Sequence, residues 1–463
     1  MRVAERSRAT LDPDPSAQVP RGGIATTAAG AVALAVIFFL ISPLLSGIGN
    51  YDVLGAVIMA PILIAFTIPI LARQAKREGD KTLLTLLIAA LVLKLIGAIV
   101  RYYFAVGVYN GKNDAIFYDH IGGQLADNFR AGNFNLEALN SGVSGSNFIE
   151  FATGILYTII GPTIVGGFVF FSWLGFLGMF FFYRAFVVAL PEGRSRTYAK
   201  MVFFLPSLLF WPSSIGKESW MMFTLGIAAL GAAHLVSGRT FRGLAIGVIG
   251  LWGAALPRPH IAALAGLAIG GAFLLRKAKP QHRQIAPFLK LASLALVAVA
   301  AAFFVVQAND FLKGAGIDTS SGIGGALEEA ADRSGKGGSG FEAPVFNSPS
   351  RAPIATFTVL FRPTIIESHN PQALLSAGEG TFLLLMTIIR FGWFRAAIRL
   401  IRKRPYVALA VLMTGFLIFA FSSLSNLGIL ARERVQLLPF YLVLFSVPSK
   451  KWLELRAKRE AKA

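Results

Sequence analysis

The chain has 463 residues, 55% of them hydrophobic, with a mean hydropathy of +0.63. Only 15% are charged, yet 44 Lys and Arg stand against 24 Asp and Glu, a formal charge of +20. This balance excludes an ordinary water-soluble domain. The basic residues sit in short clusters between apolar runs, the positive-inside bias of a membrane protein, so no nucleic-acid partner is expected. Cysteine is absent, which excludes disulfides, thiolate metal sites and a cysteine nucleophile.

In chain order, residues 1–23 are polar, contain Pro and Arg, and read as a disordered cytoplasmic tail. Apolar runs then predict spans near 24–47, 53–72, 83–106, 163–187, 199–212, 219–236, 241–256, 260–275, 286–307, 376–392, 406–424 and 434–448. In hydrocarbon each backbone N–H must be satisfied within its own segment, and the runs are continuous rather than alternating, so the spans are helices. The expectation is an all-α polytopic bundle of about twelve transmembrane helices over 24–448, with outer loops at 107–148 and 308–375. A basic cytoplasmic tail follows at 449–463. The protein is expected in the cell membrane, multi-pass, in contact with lipid, both termini cytoplasmic. FIEFATGILYTII (148–160) is apolar but short and reads as a juxtamembrane or re-entrant helix.

Five polar clusters fall on the outer side of this topology, where ionisable groups are costly unless they face water, a ligand or each other. The first is YNGKNDAIFYDHIGGQLADNFRAGNF (109–134). The stretch Asp114–Arg130 predicts an amphipathic helix, with Ile116, Ile121, Leu125 and Phe129 mostly on one face. Asp114 is either its cap, a role Asn113 shares, or a carboxylate held at the membrane surface as a general base. Asp119 is the second carboxylate in reach, and Tyr118 and His120 lie beside it. Asp114, Asp119 and His120 also admit a divalent cation as a cofactor.

The second cluster places Lys217 and Glu218 at a hairpin tip between Trp211 and Trp220, either a solvated tip or a binding site. In the third, Arg258 stands between two prolines with His260 nearby, which predicts a fixed backbone or a turn with a snorkelling Arg. The fourth holds Arg362, Glu367, His369 and Glu379; the fifth holds Arg432, Glu433 and Arg434. The fifth puts two arginines against the charge bias, as either a ligand grip or an Arg–Glu network that binds the loop. Lys94 lies mid-span, facing the bundle interior or a water-filled cavity, with Arg101 about two turns further along. The basic set Lys217, Arg258, Arg362, Arg432 and Arg434 suits a phosphate or pyrophosphate, and with a carboxylate and a wide apolar bundle the expected ligand is a lipid-linked phosphosugar.

NDAIFYDHIG (113–122), the short apolar helix GILYTIIGP (154–162) and the Pro-interrupted hairpin FFLPSLLFWPSSIGKES (203–219) follow one another in an order that resembles the GT-C superfamily of polytopic glycosyltransferases, over roughly residues 83–275. The resemblance implies a membrane glycosyltransferase of cell-envelope polysaccharide synthesis. It would move a sugar from a polyprenyl-phosphate donor to a glycan or lipid acceptor on the extracytoplasmic face. Asp114 would then deprotonate the acceptor hydroxyl. Two departures stand out: two extra spans precede the acidic loop, and no C-terminal soluble domain is recognisable. LPFYLVLF, with Arg432 and Arg434, is also similar to O-antigen polymerases, and a non-enzymatic transporter or flippase of lipid-linked glycans is the third reading. The soluble-enzyme alternatives fail on motif grounds: no GxGxxG opens a helix after a strand, no GxxxxGK[ST] and no HExxH occurs, so ATP or NAD use is not expected.

Overall fold

The computed structural model describes residues 51–276 except 138, 140 and 141, isolated positions between 288 and 335, and residues 339–447 except 369 and 370. The expected spans 24–47 and, for the most part, 286–307 lie outside the described residues, as do both tails, much of the 308–375 loop and His369.

The chain is all-α among the described residues. Helix α1 (Tyr51–Glu78) and α2 (Lys81–Tyr103) come first, and α2 runs into a π-turn at Phe104–Val108. Next are α3 (Asp114–Arg130), α4 (Ser146–Ile160) and α5 (Ile164–Ala189). They are followed by α6 (Ser195–Phe204), α7 (Pro206–Phe210), α8 (Lys217–Val236), α9 (Thr240–Ala255) and α10 (Pro259–Leu274). The C-terminal part holds α11 (Ala352–Phe361), α12 (Pro371–Ile389), α13 (Phe391–Leu400), α14 (Pro405–Phe421), α15 (Leu427–Glu433) and α16 (Leu438–Val443).

The expected bundle of about twelve spans is corrected by these lengths. Among the described residues four helices are long and apolar enough to cross a membrane: Tyr51–Glu78, Thr82–Val108, Ile164–Ala189 and Lys217–Val236. A fifth arises if α12 and α13, bent by 72°, count as one. The protein is therefore an integral membrane protein with, among the described residues, four or five candidate spans and a body rich in hydrogen bonds and ion pairs. The other apolar runs within the described residues fall short for geometric reasons. The run at 199–212 breaks at Leu205, which leaves the helical region just before Pro206. The run at 434–448 splits into a 3-10 turn and the six-residue α16. Helices α9 and α10 have 16 residues each, about 24 Å at 1.5 Å per residue, short of the roughly 30 Å hydrocarbon core. Helix α14, at 17 residues, is little longer. A short buried helix and a short transmembrane segment share the same hydropathy, and α14 is of the buried kind: Val407, Ala408, Leu409, Ala410, Met413 and Leu417 are almost fully enclosed.

Helix α5 is central, contacting α1, α2 and α8, while α8 also packs on α9. Glycine permits the closest approach. A Cβ on Gly178 of α5 would meet the Met222 carbonyl of α8 at 2.3 Å, and one on Gly250 of α9 would meet the Ala228 nitrogen at 2.3 Å. Small residues let membrane helices gain dispersion contact where no hydrophobic force distinguishes protein from lipid. Lys94 faces the interior: its ammonium donates to the Leu208 carbonyl at 2.6 Å, one of the carbonyls left over at the end of the five-residue α7.

Candidate functional site

The site forms where the C-terminal end of α2 meets the start of α3, α8 and α10 and the end of α15. Helix α3 begins as the sequence predicts, but Asn113 is its cap, accepting from the Ala115 and Ile116 amides at 3.1 and 3.4 Å. Asp114 is thereby released to act elsewhere. Its buried face, Ala115, Tyr118, Gly122, Leu125 and Ala126, packs on α4.

Asp114 Oδ2 accepts from Arg432 Nη1 at 2.8 Å. Arg432 Nε stands 2.7 Å from Glu218 Oε1 as an ion pair. Glu218 Oε1 also accepts from Arg258 Nη2 at 3.0 Å. Arg258 in turn grips Glu433 through both terminal nitrogens, Nη2 reaching Oε1 at 2.6 Å. Gln436 Nε2 completes the coordination of Glu433 at 2.7 Å. The result is a chain of alternating charge, Asp114–Arg432–Glu218–Arg258–Glu433, in which both carboxylates flanking Arg258 are largely enclosed. Burial alone would lower the Arg432 pKa, but Glu218, Glu433 and Asp114 outweigh it and hold the guanidinium firmly protonated. Pro259 at the first turn of α10 fixes the backbone beside Arg258, as the flanking prolines predict.

Two cations border this chain without being neutralised by it. Arg101 is stacked against Phe210 and Trp211, its guanidinium carbon 4.8 and 5.0 Å from their ring centroids. Its Nε and Nη1 are buried and have no hydrogen-bond partner. It lies close enough to Asp114, Glu218 and Arg432 to interact with all three electrostatically. Lys217 closes no ion pair among the described residues; it interacts at longer range with Glu150, Arg258, Glu218, Arg432 and Glu433. Tyr118 borders the same group, and burial pushes its phenol up to about 12, so it stays a donor. His260 is within electrostatic reach of Arg258 and Lys217.

The other predicted residues go elsewhere. Asp119 accepts from the Tyr157 hydroxyl; burial pushes its carboxyl up to about 6, against the lowering effect of that hydrogen bond. His120 is exposed and bonded to Gln124 at 3.1 Å. Asp114, Asp119 and His120 thus have three different partners, and among the described residues no three His, Asp or Glu gather in a metal-holding group. Arg362 and Glu367 pair locally: Nε reaches Oε1 at 2.7 Å, Glu367 caps the turn at Thr364, and the guanidinium lies 4.1 Å over Phe341. Arg434 turns away from Arg432, because two residues of helix rotate a side chain by about 200°. It is fully buried and donates to the carbonyls of Leu360 and Arg362 at 3.0 and 2.8 Å.

Of the set expected to converge, Asp114, Lys217, Arg258 and Arg432 do gather here, with Glu218, while Arg362 and Arg434 do not. The sequence marks Glu433 only as a member of an Arg–Glu network and gives Arg101 no role. Arg101 carried a signal: an Arg near the end of an apolar span needs a partner, and Phe210–Trp211 supplies the aromatic faces.

No protein-family model, no curated protein and no solved structure matches this chain. The GT-C-like glycosyltransferase reading does not survive the scaffold. It and its two alternatives, the O-antigen-type polymerase and the lipid-linked glycan transporter, were built on about twelve spans, and among the described residues four or five candidates are present. The transferase and polysaccharide-synthesis assignments fall with it.

Proposed function

We propose that this is a membrane anion-binding protein whose site takes the phosphate headgroup of a membrane lipid between Arg101, Lys217 and Arg432. The observation that carries this is Arg101. A guanidinium buried beside aromatic rings with two N–H groups unpaired is costly to keep unless an anion completes it. Its planar fork suits two phosphate oxygens at once. The carboxylates Asp114, Glu218 and Glu433 orient Arg432 and Arg258 and hold the cluster together in the ligand's absence. Asp114, with 55% of its side chain exposed, is the one a ligand phosphate would displace from Arg432.

The test is binding of phosphatidic acid to the protein in neutral-lipid nanodiscs, with inorganic phosphate as a second arm. Phosphatidic acid should bind, and Arg101→Gln should cost about 1.5–3 kcal/mol, roughly tenfold to a hundredfold in affinity. Binding of inorganic phosphate alone would assign the site to a soluble anion. Unchanged affinity for both probes in Arg101→Gln would sink the proposal.

A further inference from the structure

A cavity lies away from the charged chain, between α6–α7 and α12, with a volume of about 760 Å³. Met201 and Pro206 form one wall and Leu375 and Phe382 the other, and Lys200 stands exposed at its edge. Glu379 borders it, although its own side chain is fully enclosed. Glu379 Oε2 accepts from the Ser207 amide at 2.6 Å. Its Oε1 has no hydrogen-bond partner. Arg434 Nη2 stands 4.0 Å from that oxygen, a long ion pair, and is also without a hydrogen-bond partner. That distance is too long for a hydrogen bond.

We propose that this apolar groove binds a long-chain primary alcohol, whose hydroxyl bridges Glu379 and Arg434. The polar end is specific about charge. A ligand carboxylate would be repelled by Glu379 and an ammonium by Arg434. A hydroxyl is both donor and acceptor. It accepts from Arg434 Nη2 and donates to Glu379 Oε1, and so satisfies both orphaned groups with one oxygen. The chain then lies along Met201, Leu375 and Phe382. The site is independent of the Arg101 cluster, since Arg434 is turned away from it.

The experiment compares a photoreactive hexadecanol with the same chain ending in a methyl group, each incubated with the full protein in nanodiscs. The alcohol should label α6 and α12 about tenfold more than its methyl-ended analogue, the difference expected of a hydrogen bond to a charged group. Leu375→Trp should abolish that labelling; Leu375 is 51% exposed, so the larger ring fills the groove without disturbing the core. Glu379→Leu should equalise the two probes, and Leu375→Trp stands as the decisive variant if Glu379→Leu fails to fold. Equal labelling by both probes in the wild type would mean a lipid-coated surface with water between Glu379 and Arg434, and would overturn the proposal. Undiminished labelling in Leu375→Trp would overturn it as well.

Discussion

Asp114 and Arg432 stand 318 positions apart in the chain and 2.8 Å apart in space. The pair ties the first turn of α3 to the last turn of α15 at the open edge of the charged chain. Because Asp114 is more than half exposed, solvent screens the pair and the coupling should be small. A double-mutant cycle with Asp114→Asn and Arg432→Gln, read by thermal unfolding in detergent, should give about 0.2–1 kcal/mol. Adding phosphatidic acid should make Asp114→Asn bind more tightly than wild type, because a competing carboxylate has gone.

Arg258 is the opposite case. It is enclosed and serves Glu433 and Glu218 together. Removing it leaves the largely enclosed Glu433 without its bound guanidinium and Glu218 with Arg432 alone, and breaking such a buried pair costs about 3–5 kcal/mol. Arg258→Ala should therefore lose most of its folded yield, and Arg258→Lys should recover only part of it, since an ammonium cannot bind Glu433 through two nitrogens. A wild-type unfolding midpoint for Arg258→Ala would show that the network contributes little to stability.

Asp119 predicts a pH dependence of the fold. Its carboxyl is raised to about 6 by burial in the folded state, so the folded protein holds that proton more tightly than the unfolded chain. The associated stability is fully present below the ordinary carboxylate range and is lost as pH rises through about 6. The wild-type melting temperature should fall between pH 5 and pH 7. Asp119→Asn keeps an oxygen for the Tyr157 hydroxyl and never ionises, so its melting temperature should be flatter across that window. Identical slopes in the two proteins would exclude Asp119 as the titrating group.

The α5–α8 crossing depends on Gly178. A Cβ there would lie 2.3 Å from the Met222 carbonyl, closer than any real contact, and backbone cannot move aside as a side chain can. Gly178→Leu should separate the two helices and expose the protein to trypsin, whereas Gly415→Leu, which meets nothing within 4 Å, should leave it resistant.

Helix α2 offers a direct test of membrane insertion. Val92, Ile96, Ile99 and Tyr103 form an exposed apolar stripe, while Leu91 and Ala98 on the other face are fully buried. Because the chain has no cysteine, a single Ile96→Cys takes a spin label without background. It should be accessible to oxygen and shielded from a water-soluble relaxant. Ile96→Arg should lower insertion, at a cost of about 2.5–3.5 kcal/mol if the position is mid-bilayer. Ready access of the water-soluble relaxant to position 96 would mean that α2 does not lie in lipid.

Helix positions were legible because they depend on local pattern. The start of α3 at Asp114 and the short apolar α4 follow from capping chemistry and periodicity within a few residues. The number of spans was not legible, since hydropathy cannot distinguish an apolar segment buried in protein, such as α14, from one buried in lipid. The site was legible in composition only. The sequence by itself determined an all-α membrane protein, and it marked Asp114, Glu218, Arg258 and Arg432 as charges in costly places. Tertiary packing alone decided that these four join Glu433 in one chain of ion pairs, that Arg434 turns into the core beside Glu379, and that Arg101 is stacked against Phe210 and Trp211 with its Nε and Nη1 lacking a hydrogen-bond partner. The reason is range: a cap or a helical face is set by residues a few positions apart, whereas an ion pair spanning 318 positions exists only after the helices have packed.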